Sequence, residues 1–390
     1  MLLNLSHEPI TIYEKSMGDA SRAEISLVRA CSNLNASRLR ETVAQLSIYL
    51  EIASTMGIKD HGQLLTVILD NISFFDKRVI PSYHSFTNKE LDGQRYGEAL
   101  RWATEHVSPK NKLTPEIILD LHSRCLCGKG HHQSGIKFRT EPPPPPRKLS
   151  ESFSRTLREK KVFTLMSNLC SFINRDAYSP IIQAAMVHAQ FGNIQPFELN
   201  NNCTISTLYH AVFYRRGLLQ KTIVPISLLS SIAPETCKRF VPDPSRQKTS
   251  HEEQMGLFNT WISFCAGAVE LSANLINSLL ICIEALELSW EARIGRFSKN
   301  SLLEEILLLL PAHPVITVEM IMVLTGRSFS ATNDAVARLV QVGILSLEPV
   351  PHQRTRVFRA HEVFDTLELT LKNILPQFLL GASFRTQLLD

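Results

Sequence analysis

Thiols, imidazoles and a few arginines are the groups in this chain whose spacing could do chemistry. Cys125 and Cys127, followed by His131 and His132, are the residue types that hold zinc. Their C-x-C spacing is shorter than the usual finger pair, and no second pair follows at finger distance. The pattern therefore favours structural loop residues over a metal. His188 falls on the apolar face of a helical pattern and reads as a buried structural histidine, and His210 reads the same way. Near the C-terminus, Thr332, Asn333, Arg338, Gln353, Arg354 and Arg356 are candidates for contacting DNA. Phosphate contacts dominate such binding and need positive charge. Residues 301–390 hold seven Lys/Arg against nine Asp/Glu, a net charge of −2. The sequence therefore favours a protein-docking or dimer-supporting role there, with weak DNA binding as the second reading. Residues 137–161 carry eight Lys/Arg against three Asp/Glu, and read as solvated surface.

These groups sit in a chain of ordinary globular composition. It has 390 residues, 44% hydrophobic and 20% charged, with a net charge of +4. That excludes disorder, collagen and small disulfide scaffolds, and the charge is too small to demand an acidic partner. The stretch Trp261 to Leu288 is the most apolar, yet it carries Glu270, Asn274, Asn277 and Glu284. We expect a buried core helix there and no membrane segment. No charged n-region precedes an apolar run at the N-terminus, so no secretory signal is expected. Eight cysteines, scattered through apolar helical patterns, read as reduced core thiols of a cytoplasmic protein.

Helical periodicity dominates, so the fold class is mainly α. Residues 1–112 form a helical N-terminal region, with apolar helices near Ala23 to Ala30 and Leu64 to Phe75. Residues 113–298 form a larger helical domain, interrupted by the loop 128–135 and by Pro142 to Pro146. Five prolines favour extended polyproline II, and read as a rigid loop before a docking ligand. Residues 299–390 change character. A helix from Ser301 to Leu310 precedes Pro311, Thr317 can cap a second helix, and Gly326 turns the chain. Ser328 can cap a third helix, and Gly343 ends it. Short strands follow at Ile344 to Pro349 and Thr355 to Phe358. Helix–turn–helix followed by a β-ribbon predicts a winged helix with a C-terminal helix.

The segment AAMVHAQFGNIQPFELNNNCTISTLYHAVFYRRGLL (184–219) resembles the core of the Fic (Fido-domain) family of protein adenylyltransferases, whose signature is HPFxxGNGRxxR. His188 to Phe191 and Ile194 match the approach helix, Pro196 and Phe197 the motif's start, and Asn201 its central Asn. LTPEIILDLHSRC (113–125), Gly135 to Arg139 and LMSNLCSFIN (165–174) match flanking family segments in order. The resemblance implies AMP transfer from ATP to protein hydroxyls with Mg²⁺, and a helical fold to which a C-terminal winged helix is a common attachment.

The chemistry-bearing letters differ, however. The base position is Gln195, whose amide cannot accept a proton near neutral pH. The metal-holding acid is Leu199, and hydrocarbon gives Mg²⁺ no oxygen. The two phosphate-binding arginines are Cys203 and Ser206, so their bidentate contacts are lost. Asn200 and Asn202 replace the motif glycines. Asn is the least costly non-glycine at positive φ, so the loop's shape can persist while its side chains crowd the phosphate space. Turn plus helix cap is the favoured role of the triplet, and residual anion binding the alternative. The resemblance also places Cys203 near a helix N-terminus, where a thiolate is favoured; a small core-facing residue is the bland reading. Of the family's inhibitory helix only Asp76 survives, and the target-docking flap after Arg139 looks truncated.

The expectation is a catalytically inactive binding or regulatory protein, without bound ATP or metal, with a protein partner and a possible homodimer. The alternatives are a nucleotide-dependent transferase with altered chemistry, and a ligand-sensing winged-helix DNA-binding regulator.

Overall fold

The computed structural model describes residues 10–55, 88–127, 136–140, 159–228, 250–348 and 355–381. Asp76, Pro142 to Pro146, Gln353 and Arg354 lie outside the described residues, as do His131 and His132. What is described is mostly helical, as the periodicity predicts. The helices are α1 (Glu14–Ala36), α2 (Arg40–Thr55), α3 (Asn88–His106), α4 (Pro115–Cys127), α5 (Glu159–Ile173), α6 (Pro180–Ile194), α7 (Asn201–Arg215), α8 (His251–Ile294), α9 (Leu302–Leu309), α10 (Val318–Thr325), α11 (Phe329–Gln341) and α12 (His361–Gly381). Three short strands are β1 (Val315–Thr317), β2 (Ser346–Glu348) and β3 (Val357–Arg359).

The chain forms two compact units. The first takes the described residues up to Cys31, Ser54 and Thr55 at the end of α2, and those within Asn88–Ala273. Its centre is α7, which packs on α6, α3 and α4, while α5 packs on α6. The reason is burial on several faces at once. From Thr204 to Tyr214 every residue of α7 is buried, as are most of those of α6. A helix buried on every face belongs inside a core, and Thr204, Thr207 and His210 meet carbonyls one turn back there. Ser179 caps α6, accepting from Ile182 N, and Pro180 opens it where a missing N–H costs nothing. Asn259 on α8 ties down the chain's start: it accepts from Tyr13 N (2.7 Å) and donates to Thr11 O (3.0 Å). Trp261 donates to Ala185 O at 2.9 Å, which fixes α8 on α6.

The second unit takes Ser32–Ala53 and Asn274–Asp390 as its described parts. Here the local chemistry is legible in detail. Ser301, Thr317 and Ser328 each cap a helix, accepting from Glu304 N, Met320 N and Ala331 N. Gly326 and Gly343 adopt φ of 69° and 73°, the left-handed conformation that a side chain would strain. The strands pair antiparallel in the order β1-β3-β2, with Ile316 opposite Phe358 and Leu347 opposite Phe358 on the other edge. β1 was not expected. It exists because β3 offers it a partner, a contact made across forty residues of sequence.

The helix α8 covers the stretch expected as a buried core helix and extends it at both ends. By length and composition it could cross a membrane, but 61% of its apolar window is buried within the protein. Ile262, Val269, Ile276, Leu279, Ile283 and Trp290 are all fully buried there.

Candidate functional site

The loop Gln195–Asn200 between α6 and α7 is built by two left-handed residues. Gln195 has φ 43° and ψ 65°, and closes α6 by donating its N–H to Phe191 O at 2.8 Å. Asn200 has φ 53° and ψ 26° and begins α7 without a side-chain cap bond. Asparagine tolerates this region; glutamine does so at some cost, and such strain persists only where the surroundings fix it.

Three groups fix it. Arg139 donates from Nε to Gln195 O (2.7 Å) and from a terminal nitrogen to Ile194 O (3.0 Å), and its own N–H reaches Pro196 O (2.8 Å). Its guanidinium thus neutralises the carbonyl end of α6, where a cation suits the helix dipole. Asn201 clamps the loop from the other side. Its Oδ1 accepts from Phe197 N (3.1 Å) and its Nδ2 donates to Phe197 O (2.7 Å). His122 on α4 completes the frame. Its ring lies parallel to Phe197 with centroids 3.5 Å apart. Thr204 gives its hydroxyl proton to Asn200 O (3.2 Å), so His122 Nδ1, 2.8 Å from that hydroxyl, is the donor. Burial pushes the His122 imidazole down to about 4, so it stays neutral near pH 7. Phe138 packs beside Phe197 and Phe163, filling the space beneath the loop.

The side chains at the loop's rim follow from this frame. Leu199 is 69% exposed, Glu198 and Asn202 are exposed, and Gln195, Asn200 and Cys203 are partly so. Cys203 is the third residue of α7, at the helix start that the resemblance implies. Ser206 turns inward and is buried. Its carbonyl faces His210 Nδ1 at 2.8 Å, and His210 Nε2 faces Val224 O at 2.8 Å. His210 is therefore a packing strut, as expected. His188 lies between Tyr209 and Trp261, and burial pushes it down to about 4. Cys125 is buried against Thr207 Oγ1 (3.9 Å), and burial pushes its thiol well up. The side chain of Cys127 lies outside the described residues. Among the described residues no group of three or more His, Cys, Asp or Glu is arranged to hold a metal.

The loop therefore offers backbone amides at a helix start, the neutral amide of Gln195, the hydrocarbon of Leu199 and, beside it, the exposed carboxylate of Glu198. It offers no exposed acid–base pair at Gln195, no carboxylate at Leu199 and no guanidinium at Cys203 or Ser206. His122 and Arg139 hold this geometry, yet neither role was foreseen. An Arg after a Phe, and a His amid the leucines of α4, were the only signals.

At the C-terminal candidates the structure corrects one expectation. Thr332 is not exposed: it is fully buried and its hydroxyl donates back to Ser328 O at 2.9 Å. It sits in the first turn of α11 on the face that meets the core. Arg338 reaches back to carbonyls at the end of α8, Ile294 O (3.0 Å) and Arg296 O (3.4 Å). Arg356 donates to Asn333 Oδ1 (2.6 Å) and lies over Phe358. Arg359 pairs with Glu348 (3.6 Å).

Residues 112–212, from the approach to α4 through most of α7, match the model of the Fic/DOC family. A Fic family protein from Desulfovibrio desulfuricans G20 is similar in structure, with a TM-score of 0.53 and 13% identity over 91% of this chain and 98% of that one. A Fic domain containing signalling protein from Bacteroides thetaiotaomicron has a TM-score of 0.46 and 14% identity, over 65% of this chain and 97% of its own. Fic-1 from C. elegans has a TM-score of 0.43 and 15% identity, over 66% and 71%. At such identities the first likeness is one of fold alone. No curated protein matches the sequence.

Proposed function

We propose that this protein keeps a Fic-type scaffold but has lost AMP transfer, and acts by binding a protein partner. The carrying observation is the loop itself. Its backbone is held by Arg139, Asn201 and His122, while the side chains facing out of it are Gln195, Glu198, Leu199, Asn202 and Cys203. A transferase needs a base for the target hydroxyl, an oxygen ligand for Mg²⁺ and cations for the phosphates. Of those side chains only Glu198 is charged: its carboxylate stands one place before the metal-holding position, and none of them is a base at position 195 or a cation at positions 203 and 206. Loss of a general base alone costs roughly 10²–10⁴-fold, and lost phosphate stabilisation adds to it. The frame that remains is well suited to present a surface and poorly suited to turn over ATP.

The second unit supports a binding role. Its helix–strand–helix–helix–ribbon order supports reading it as a winged helix, with α11 as the reading helix. The exposed positions on α11 include Phe329, Ser330, Asp334, Ala337 and Val340. These exposed positions bear an acid and no cation, and half-buried Arg338, a turn from Asp334, is engaged with carbonyls at the end of α8, which favours docking to protein over docking to phosphate.

Incubation of the purified protein with labelled ATP, Mg²⁺ and a cell lysate tests the reading. We expect no labelled protein above a heat-inactivated control. Mg²⁺-dependent labelling would overturn it.

A further inference from the structure

The second unit contains a buried carboxylate that the proposed function does not use. Glu287, on α8, is 1% exposed. Its Oε2 accepts from Arg38 at 3.1 Å, while its Oε1 is buried with no hydrogen-bond partner. Arg38 belongs to the short link between α1 and α2, and it is shared. It also reaches Glu291 Oε1 (3.1 Å) on α8 and Glu304 Oε1 (3.6 Å) on α9. Next to it, Ser37 Oγ donates to Glu284 Oε1 at 3.1 Å. Glu284, Glu287 and Glu291 follow at helical spacing, so α8 presents one acidic stripe to this link. The groups facing Glu287 are therefore Arg38 from the link, Glu284 and Glu291 from its own helix, and Glu304 behind the same guanidinium.

Three carboxylates share one cation, a fourth lies beside them on Ser37, and the most buried of them has a bare oxygen. A charged oxygen without a partner costs far more inside a protein than a neutral one. We infer that Arg38, Glu287, Glu291 and Glu304 form a proton-dependent clasp, closed when Glu287 is protonated and loosened when it ionises. Burial raises the Glu287 carboxyl to about 7, with Glu291 and Glu284 adding to it and Arg38 opposing them. The sign follows. A carboxyl raised above its unfolded value binds its proton more tightly in the closed form, so closure is favoured at low pH and is lost as pH rises through about 7. The clasp thus places the docking of the α1–α2 link under control of pH near neutrality.

Amide hydrogen exchange in the full-length protein tests this. Arg40 N donates to Ser37 O and Val43 N to Leu39 O, so these amides report on the link. After correction for intrinsic exchange, their protection should fall roughly five- to tenfold between pH 6 and pH 8.5. In Glu287→Gln, which is isosteric and cannot ionise, protection should stay flat across that range. Glu291→Gln, on the exposed side, removes a repelling charge and should move the fall to lower pH. Unchanged protection in the wild-type protein overturns the proposal. So does an identical fall in Glu287→Gln, or, if that variant does not fold, a fall in Glu291→Gln that is not displaced.

Discussion

Glutamine at position 195 sits in the left-handed region where an approaching helix ends, and its conformation is held by Arg139 rather than by its own side chain. A histidine placed there would inherit the same backbone. We therefore expect Gln195→His to fold normally and still to transfer no AMP. A base is useful only when the nucleotide is held in line and its charge neutralised. Leu199 provides no metal ligand, and buried Ser206 could not present a guanidinium without rearranging the packing beneath it. The smallest set with a chance of binding ATP is Gln195→His, Leu199→Asp, Asn200→Gly, Asn202→Gly, Cys203→Arg and Ser206→Arg together. Self-labelling with ATP, measured for the single and combined variants, checks this; robust Mg²⁺-dependent labelling by the single variant would refute it. Cys203 has a prediction of its own. It occupies the first turn of α7 and is partly exposed, whereas Cys125 and Cys170 are buried and their thiols are pushed up by that burial. Alkylation at pH 7 should therefore mark Cys203 well ahead of those two. Equal rates would show that the first turn of α7 is no more open to reagent than the core.

At the scale of elements, the loop between α6 and α7 is held mainly from outside itself. Arg139→Met keeps the length of the side chain and strips its charge, leaving two carbonyls of α6 without donors. Hydrogen bonds from charged groups are worth about 1.5–3 kcal/mol each, and part of the loss will be recovered by water. We expect a destabilisation of about 2–4 kcal/mol in denaturant unfolding; less than about 1 kcal/mol would show that Asn201 and His122 suffice. His122 and His188 add a pH dependence. Both imidazoles are pushed down to about 4 by burial, below the unfolded value. They stay neutral in the fold down to about pH 4 while the unfolded chain takes up protons below 6.5, so their contribution is present above 6.5 and lost as pH falls toward 4. Thermal stability of the first unit should thus drop between pH 7 and pH 5, and His122→Asn should make the drop shallower. The same elements show what a sequence can and cannot disclose. Caps at Thr317 and Ser328 and the stops at Gly326 and Gly343 were legible because each is decided within four residues. The pattern of Pro196, Phe197 and Asn201 was legible as a motif. The roles of His122 and Arg139 were not, since their partners lie more than fifty residues away. Thr332 misled for a related reason: a polar residue in the first turn of a helix reads as exposed until the core beneath it is known.

At the scale of the molecule, sequence order and compact units diverge. Residues at the end of α1 and along α2 fold with the second unit, as do the residues of α8 after Ala273. Hydrophobic periodicity shows that α8 is a long buried helix, but it cannot show that one helix serves two cores, because apolar residues look alike in either. The second unit carries the last prediction. Affinity for DNA comes chiefly from cations free to meet phosphates. Arg338 is engaged with carbonyls at the end of α8, Arg356 with Asn333, and Arg359 with Glu348. To bind, each of these would give up a contact it already makes, and the exposed face of α11 adds Asp334 as a repelling charge. Any binding to duplex DNA should consequently be weak, indifferent to sequence and abolished by modest salt. Neutralising Arg354, Arg356 and Arg359 together should remove what is seen at low ionic strength, because few other phosphate contacts remain. Titration of genomic fragments at about 50 and 200 mM salt decides it. A tight, sequence-selective complex that survives both the salt and the triple substitution would move the recognition surface elsewhere and would make this unit a reader of DNA.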